Sequence, residues 1–171
     1  MAFHGTRKLV VLGFGAIGSG LFAYEAQRTG EYAVPLMVDV RADLVAGLRA
    51  DAGHFRVNIA RDDGIDVADI GPVNVADSSV AADRAFVVEA IASADELASA
   101  LPSVAFYRSL APNSPHRLLA EGLQQRIAAR PLLVYCAENH RSAAALLAQA
   151  VSEALPGPDR DANIVLRDPW A

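Results

Sequence analysis

Gly13, Gly15 and Gly18 stand in the stretch KLVVLGFGAIGSGLF, Lys8 to Phe22, behind four apolar residues and ahead of another apolar run. The spacing is G-x-G-x-x-G. Directly after a strand and opening a helix, the first glycine allows a tight turn and the second a close backbone approach to a pyrophosphate. The third lets helix and strand pack closely. The helix N-terminus adds unpaired N–H groups and a partial positive charge that suit phosphate. Gly13, Phe14, Gly15, Ala16, Ile17 and Gly18 are therefore the candidate cofactor-binding loop. Such a site also needs an acid at the end of the second strand, about 20 residues further on, to bond the adenosine ribose. Asp39 in PLMVDVR holds that place. The competing reading makes the glycines an ordinary strand–helix turn and Asp39 a cap of the next helix. The order strand, loop, helix, strand, acid favours the cofactor. A carboxylate at Asp39 would repel a 2′-phosphate and so favours NAD over NADP, although Arg41, two residues on, could swing towards such a phosphate.

Other chemistry is sparse. His4, His54, His116 and His140 are scattered without a metal-ligand spacing, so no metal is expected and solvated or capping roles suit them. Cys136 on an apolar strand reads as a buried small residue. Residues Ser99 to Ser103 end a strand on the cofactor face, which makes Ala100 a further candidate through its backbone. Trp170, near the chain end, is apolar surface that covers the core or meets another domain.

These groups need elements to hold them. Leu9 to Leu12 reads as a buried strand, and the helix behind it runs from near Ala16 to Thr29, with Ile17, Leu21 and Tyr24 inward and Gly30 as its left-handed stop. Leu36 to Asp39 is a second strand and Arg41 to Asp51 a helix. Phe55, Val57 and Ile59 then alternate with polar or small residues, and Asp63-Gly64 offers a tight turn, which together predict a β-hairpin. Val73 to Ala76 is a strand and Asp83 to Ala92 a helix with Phe86, Val87 and Ile91. Glu96 to Leu101 has helical propensity, but the alternation demands a strand there. Helices follow at Val104 to Leu110 and His116 to Ala129, then a strand at Leu132 to Cys136, a helix at Ser142 to Leu155, and a last strand in NIVL. The expected fold is α/β: one dinucleotide-binding domain over 1–171 with a doubly wound, mostly parallel (Rossmann) sheet and a β-hairpin insertion.

The 171 residues are 53% hydrophobic and 20% charged, the balance of a globular domain large enough for a core. A net charge of -5 argues against nucleic-acid binding, and no apolar run approaches the roughly 20 residues of a membrane span. With one cysteine and no signal-like N-terminus, a cytoplasmic protein is expected.

LGFGAIGSGLF, VDV, the hairpin FRVNIARDDGIDVADIGPVNVADS and the late CAEN together resemble the N-terminal half of the mannitol dehydrogenase family. The likeness covers most of residues 8 to 155. It implies an NAD(H)-binding domain of an oxidoreductase acting on a polyol or polyol phosphate. It also implies that Asn139 in YCAENH polarises the substrate oxygen that becomes a carbonyl. An amide N–H aimed at a developing alkoxide stabilises charge in the transition state. By its own context Asn139 reads first as the cap of the helix of RSAAALLAQA, and the resemblance reverses that preference; Glu138 reads as a supporting or surface acid. The sequence departs from the family in three ways. Ala137 separates Cys136 from the acid, Ser19 stands where an Arg is frequent, and the family's helical C-terminal domain, with its catalytic Lys, has no counterpart. Lys8 is the one lysine and precedes the first strand. The chain alone is therefore expected to bind cofactor without turnover, and its exposed interdomain face to favour self-association. The alternative is a stand-alone NAD-sensing or regulatory module.

Overall fold

The computed structural model describes residues 3–126, 131–155 and 164–167. In chain order the elements are β1 (Leu9–Leu12), a π-helical stretch Gly18–Ala23 continuing into α1 (Tyr24–Thr29), β2 (Leu36–Asp39), α2 (Ala42–Ala50), and the strands β3 (Phe55–Arg61), β4 (Gly64–Ile70) and β5 (Asn74–Asp77). Then come α3 (Ala81–Ser93), β6 (Glu96–Ser99), a 3₁₀ helix Val104–Arg108, α4 (Pro115–Gln124), β7 (Leu132–Cys136), α5 (Ala143–Ala154) and β8 (Ile164–Arg167).

Six strands form one sheet in the order β5-β2-β1-β6-β7-β8, every pair parallel. With the hairpin set aside, this is the third-second-first-fourth-fifth-sixth order of the doubly wound dinucleotide fold. The order reverses between β1 and β6. β1 and β6 are buried along their whole length, as central strands covered on both faces must be. Val10, Leu12, Val38 and Leu97 face one apolar cluster with Val87, Ile91, Leu118 and Leu147 of α3, α4 and α5. Val11, Met37 and Ala98 face the other, with Ala23 and Ala26 and the hairpin residues Phe55, Val57 and Ala68.

The hairpin stands as a separate two-stranded sheet of antiparallel register, Phe55 opposite Ile70 and Arg61 opposite Gly64. Its two-residue turn is therefore Asp62-Asp63, one position earlier than expected. Two further expectations shift. The segment expected as a helix from Val104 to Leu110 forms only a 3₁₀ helix that ends at Arg108. Ile17 and Leu21, expected inward, are both 41% exposed, and Gly18, Ala23 and Ala26 face the sheet instead. The π turn inserts extra residues per turn and so rotates the apolar stripe relative to an α-helical wheel. Gly30 stops the helix in the left-handed conformation with φ +70°, as read from the sequence. Residues 127–129 of the expected long helix, and Trp170, lie outside the described residues.

Candidate functional site

Three of the ladders, β1 with β2, β6 with β1 and β7 with β6, run one residue past their strands at the C-terminal edge of the sheet. Gly13 N–H donates to Val38 O at 2.8 Å, Ala100 N–H to Leu12 O at 2.8 Å, and Ala137 N–H to Ser99 O at 2.8 Å. The glycine loop, the loop after β6 and the turn after β7 are thereby gathered at one edge, across the point where strand order reverses. A cleft of about 570 Å³ opens there, lined by Gly13, Gly15, Asp39, Arg41, Ala100, Leu101 and Phe106, among others. Ligands of open α/β sheets bind at such a switch point.

The three glycines meet three different constraints. Gly13 has φ +101°, and a Cβ on it would lie 2.5 Å from Ala100 O. A Cβ on Gly18 would lie 2.0 Å from Gly13 O, so only a glycine lets the helix approach its own loop. At Gly15 a Cβ would meet nothing within 4 Å. The chain's own packing thus does not require a glycine at this position; the open space beside it is a cradle that a side chain would fill. Ala16 and Ile17 are exposed where the helix begins. Phe14 turns its ring edge-on to Phe55 of the hairpin, with centroids 4.8 Å apart, and so pins the loop from the far side.

Asp39 closes the β2 end of the cleft. Its Oδ2 accepts the Phe14 N–H at 2.9 Å, and its Oδ1 accepts the N–H groups of Val40 at 2.9 Å and Arg41 at 3.0 Å. The Arg41 guanidinium adds Nε at 3.2 Å to Oδ1 and reaches Phe14 O with Nη2 at 3.3 Å. Burial alone would push the Asp39 carboxyl up. The Arg41 and Phe14 hydrogen bonds and the Arg41 charge outweigh it and hold the group below its ordinary value. The helix-cap alternative fails, because the N-cap of α2 is Arg41, with no side-chain capping bond.

Asn139 is exposed on the turn after β7, at the same edge, and its side chain makes no hydrogen bond among the described residues. It is not the cap of α5: that position is Ser142, whose N–H donates to His140 Nδ1 at 3.1 Å. Of the two roles read for Glu138, supporting or surface acid, the structure removes the second. Glu138 is buried at 3% exposure and accepts hydrogen bonds from Ser99 Oγ at 2.6 Å, Leu101 N–H at 3.0 Å and Tyr107 Oη. Nothing in the sequence separates it from a surface acid except its place two residues after a buried strand. Burial, then the Glu138 hydrogen bond, push the Tyr107 phenol far up, so it stays protonated as a donor. Cys136 is buried, as expected. His116 Nδ1 donates to Tyr107 O at 2.6 Å, which ties the 3₁₀ helix to α4. Lys8 lies at the opposite, N-terminal edge.

No family model matches the chain. It is 34% identical over 153 residues to the mannitol-1-phosphate 5-dehydrogenase of Exiguobacterium sibiricum, a match covering 88% of this chain and 37% of that enzyme. The resemblance read from the glycine loop, the hairpin and CAEN is borne out, and the chain spans little more than a third of that relative's length. The solved structure of octopine dehydrogenase with NADH and L-arginine superposes with a TM-score of 0.62 at 16% identity, over 94% of this chain and 34% of that one. At that identity the likeness concerns the fold, which is the dinucleotide-binding fold expected.

Proposed function

We propose that the chain is the NAD(H)-binding domain of an oxidoreductase that passes a hydride between the nicotinamide and a polyol or polyol phosphate. The observation that carries the cofactor reading is the cradle at Gly15, where no side chain is present and none is sterically forbidden. It lies between a strained turn at Gly13 and a close contact at Gly18, and faces the same cleft as Asp39. In this reading Gly13 to Gly18 hold the pyrophosphate, Asp39 the adenosine ribose, and Ala100 the wall beside Gly13. The bound nicotinamide supplies the hydride acceptor or donor. Similarity to a mannitol-1-phosphate 5-dehydrogenase supports the polyol phosphate as substrate class.

Asp39 and Arg41 bear on which cofactor is taken. Arg41 is half-exposed and paired with Asp39. A 2′-hydroxyl can replace the guanidinium on the carboxylate. A 2′-phosphate would face that carboxylate and would have to recruit Arg41 away from it. NAD(H) is therefore preferred.

In this reading Asn139 donates its amide N–H to the substrate oxygen, where negative charge develops as the alcohol loses its proton or as a hydride reaches the carbonyl. Parallel calorimetric titrations with NADH and NADPH test the reading. Saturable NADH binding tighter than NADPH is the expected result, and no binding of either overturns it. A second reading, a regulatory module that senses NAD(H), is favoured by one observation: the chain's single lysine sits at the edge opposite the cleft. It predicts the same binding, with ligand-dependent changes in a partner rather than turnover.

A further inference from the structure

Glu138 is a buried carboxylate with no cation among its partners in the described residues, one residue before the exposed Asn139. All three groups around it donate to its oxygens. They come from three places: Ser99 ends β6, Leu101 follows the residue that abuts Gly13, and Tyr107 lies in the 3₁₀ helix. Leu101 and Phe106, the neighbour of Tyr107, both line the cleft. On its own side, Glu138 O accepts the His140 N–H at 2.7 Å, closing the turn with Asn139 at its tip. One side chain thus joins the cleft wall on the β6 side to the turn that presents the amide. A purely structural bridge could be made more cheaply with apolar side chains, because burying a charge carries a desolvation cost that packing does not.

We propose that Glu138 is a positioning residue: its carboxylate fixes the Leu101–Phe106 wall and the Asn139 turn relative to each other. It thereby sets the seat of the nicotinamide half of the dinucleotide. The proposal rests on the dinucleotide reading above. Asp39 and the glycine loop, which would hold the adenosine and pyrophosphate, make no hydrogen bond to Glu138 among the described residues. The two halves of the ligand should therefore respond differently when Glu138 is changed.

The test compares NADH with ADP-ribose, which carries the adenosine and pyrophosphate but no nicotinamide, by calorimetry on the intact chain. The variants are Glu138→Gln, Glu138→Leu and Tyr107→Phe. In Glu138→Leu, NADH affinity should fall about tenfold or more, the effect of losing hydrogen bonds to a charged group. ADP-ribose affinity should stay within about twofold. The change in NADH fluorescence on binding, which reports the surroundings of the nicotinamide, should shrink in step. Glu138→Gln retains an acceptor for Ser99 and Leu101, and its amide can meet the Tyr107 oxygen, so it should recover most of the NADH affinity. Should Glu138→Leu not fold, Tyr107→Phe removes one donor and its hydroxyl alone and must show the same contrast between ligands. Parallel weakening of both ligands would reduce Glu138 to general support of the fold, and unchanged NADH binding would remove it from the site; either overturns the proposal. If the wild-type chain binds neither NADH nor ADP-ribose, the dinucleotide reading itself fails, a result distinct from either outcome in the variants.

Discussion

Asp39 serves fold and cleft with one carboxylate. It holds Phe14 and the turn into α2 through three backbone N–H groups, and it presents oxygen to the cleft behind the Arg41 guanidinium. Ligand binding would exchange only the guanidinium, leaving the backbone bonds in place. Replacing Asp39 with Ala should therefore weaken NADH binding by about 1–3 kcal/mol, the range for a hydrogen bond to a charged acceptor. Unchanged affinity in calorimetry would place the ribose elsewhere. The same residue gives a pH dependence of known sign. The Asp39 carboxyl is held below its ordinary value of 3.8, so its contribution to stability is present above that value and is lost as pH falls through the lower, folded-state value. Urea unfolding of wild type and Asp39→Asn should differ by a constant amount near neutrality, and the gap should close as the solution becomes more acid than pH 3.8. A gap that widened on acidification would reverse the assigned direction. In the sequence the acid at the strand end is visible, but its bond to Phe14 is not, because it crosses between two loops 25 residues apart.

At the level of elements, the glycine loop separates what folding needs from what binding needs. Gly18→Ala drives a Cβ into the Gly13 carbonyl and should cost roughly 1–3 kcal/mol or more as overpacking against backbone that cannot yield. Gly15→Ala meets open space, so its stability in urea unfolding should stay within about 0.5 kcal/mol of wild type. Its NADH affinity should nonetheless fall by about tenfold or more, because the methyl enters the cradle. Equal loss of stability in both variants would mean that all three glycines serve the fold alone. Neighbouring elements show where local pattern reading succeeds and fails. β6 is legible only from topology: the helical preference of Glu96 to Ser99 amounts to a fraction of a kcal/mol per residue. Burial of Leu97 in one core and Ala98 in the other, with a ladder on each side, outweighs it. The inward face of the first helix differs from its hydrophobic wheel because a π turn has no signature in hydrophobic spacing. The helix before Ser109 is shorter than expected because Ser103 starts a 3₁₀ turn, its Oγ accepting the Ala105 N–H, and nothing in VAFYRSL distinguishes 3₁₀ from α.

Across the whole molecule, the alternation of strands and helices suffices to place β1, β2 and β6 together and therefore the cleft. Glu138 escapes such a reading because its worth depends on three partners distant in sequence. The same placement governs activity. Oxidising an alcohol requires its proton to leave together with the hydride, and a positioned base typically contributes ~10²–10⁴-fold. Asn139 can donate to the oxygen but cannot take the proton. Lys8 precedes a four-residue strand, which puts it roughly 13 Å of strand away from the cleft edge, and at the wrong end. His140 is exposed beside Asn139, but its Nδ1 accepts the Ser142 N–H, so the neutral ring carries its proton on Nε2. Accepting another proton would break that bond at the start of α5. We therefore predict that the 171-residue chain, saturated with NAD, shows no measurable oxidation of mannitol 1-phosphate in an assay that follows NADH absorbance. Orientation of the substrate, which can be worth several more powers of ten, would also have to come from surfaces other than this open cleft. An Asn139→Ala preparation made in parallel controls for host dehydrogenases, since contaminating activity would persist in it. Turnover at ordinary enzyme rates that disappears in Asn139→Ala would overturn the prediction and make His140 the first residue to test as the base.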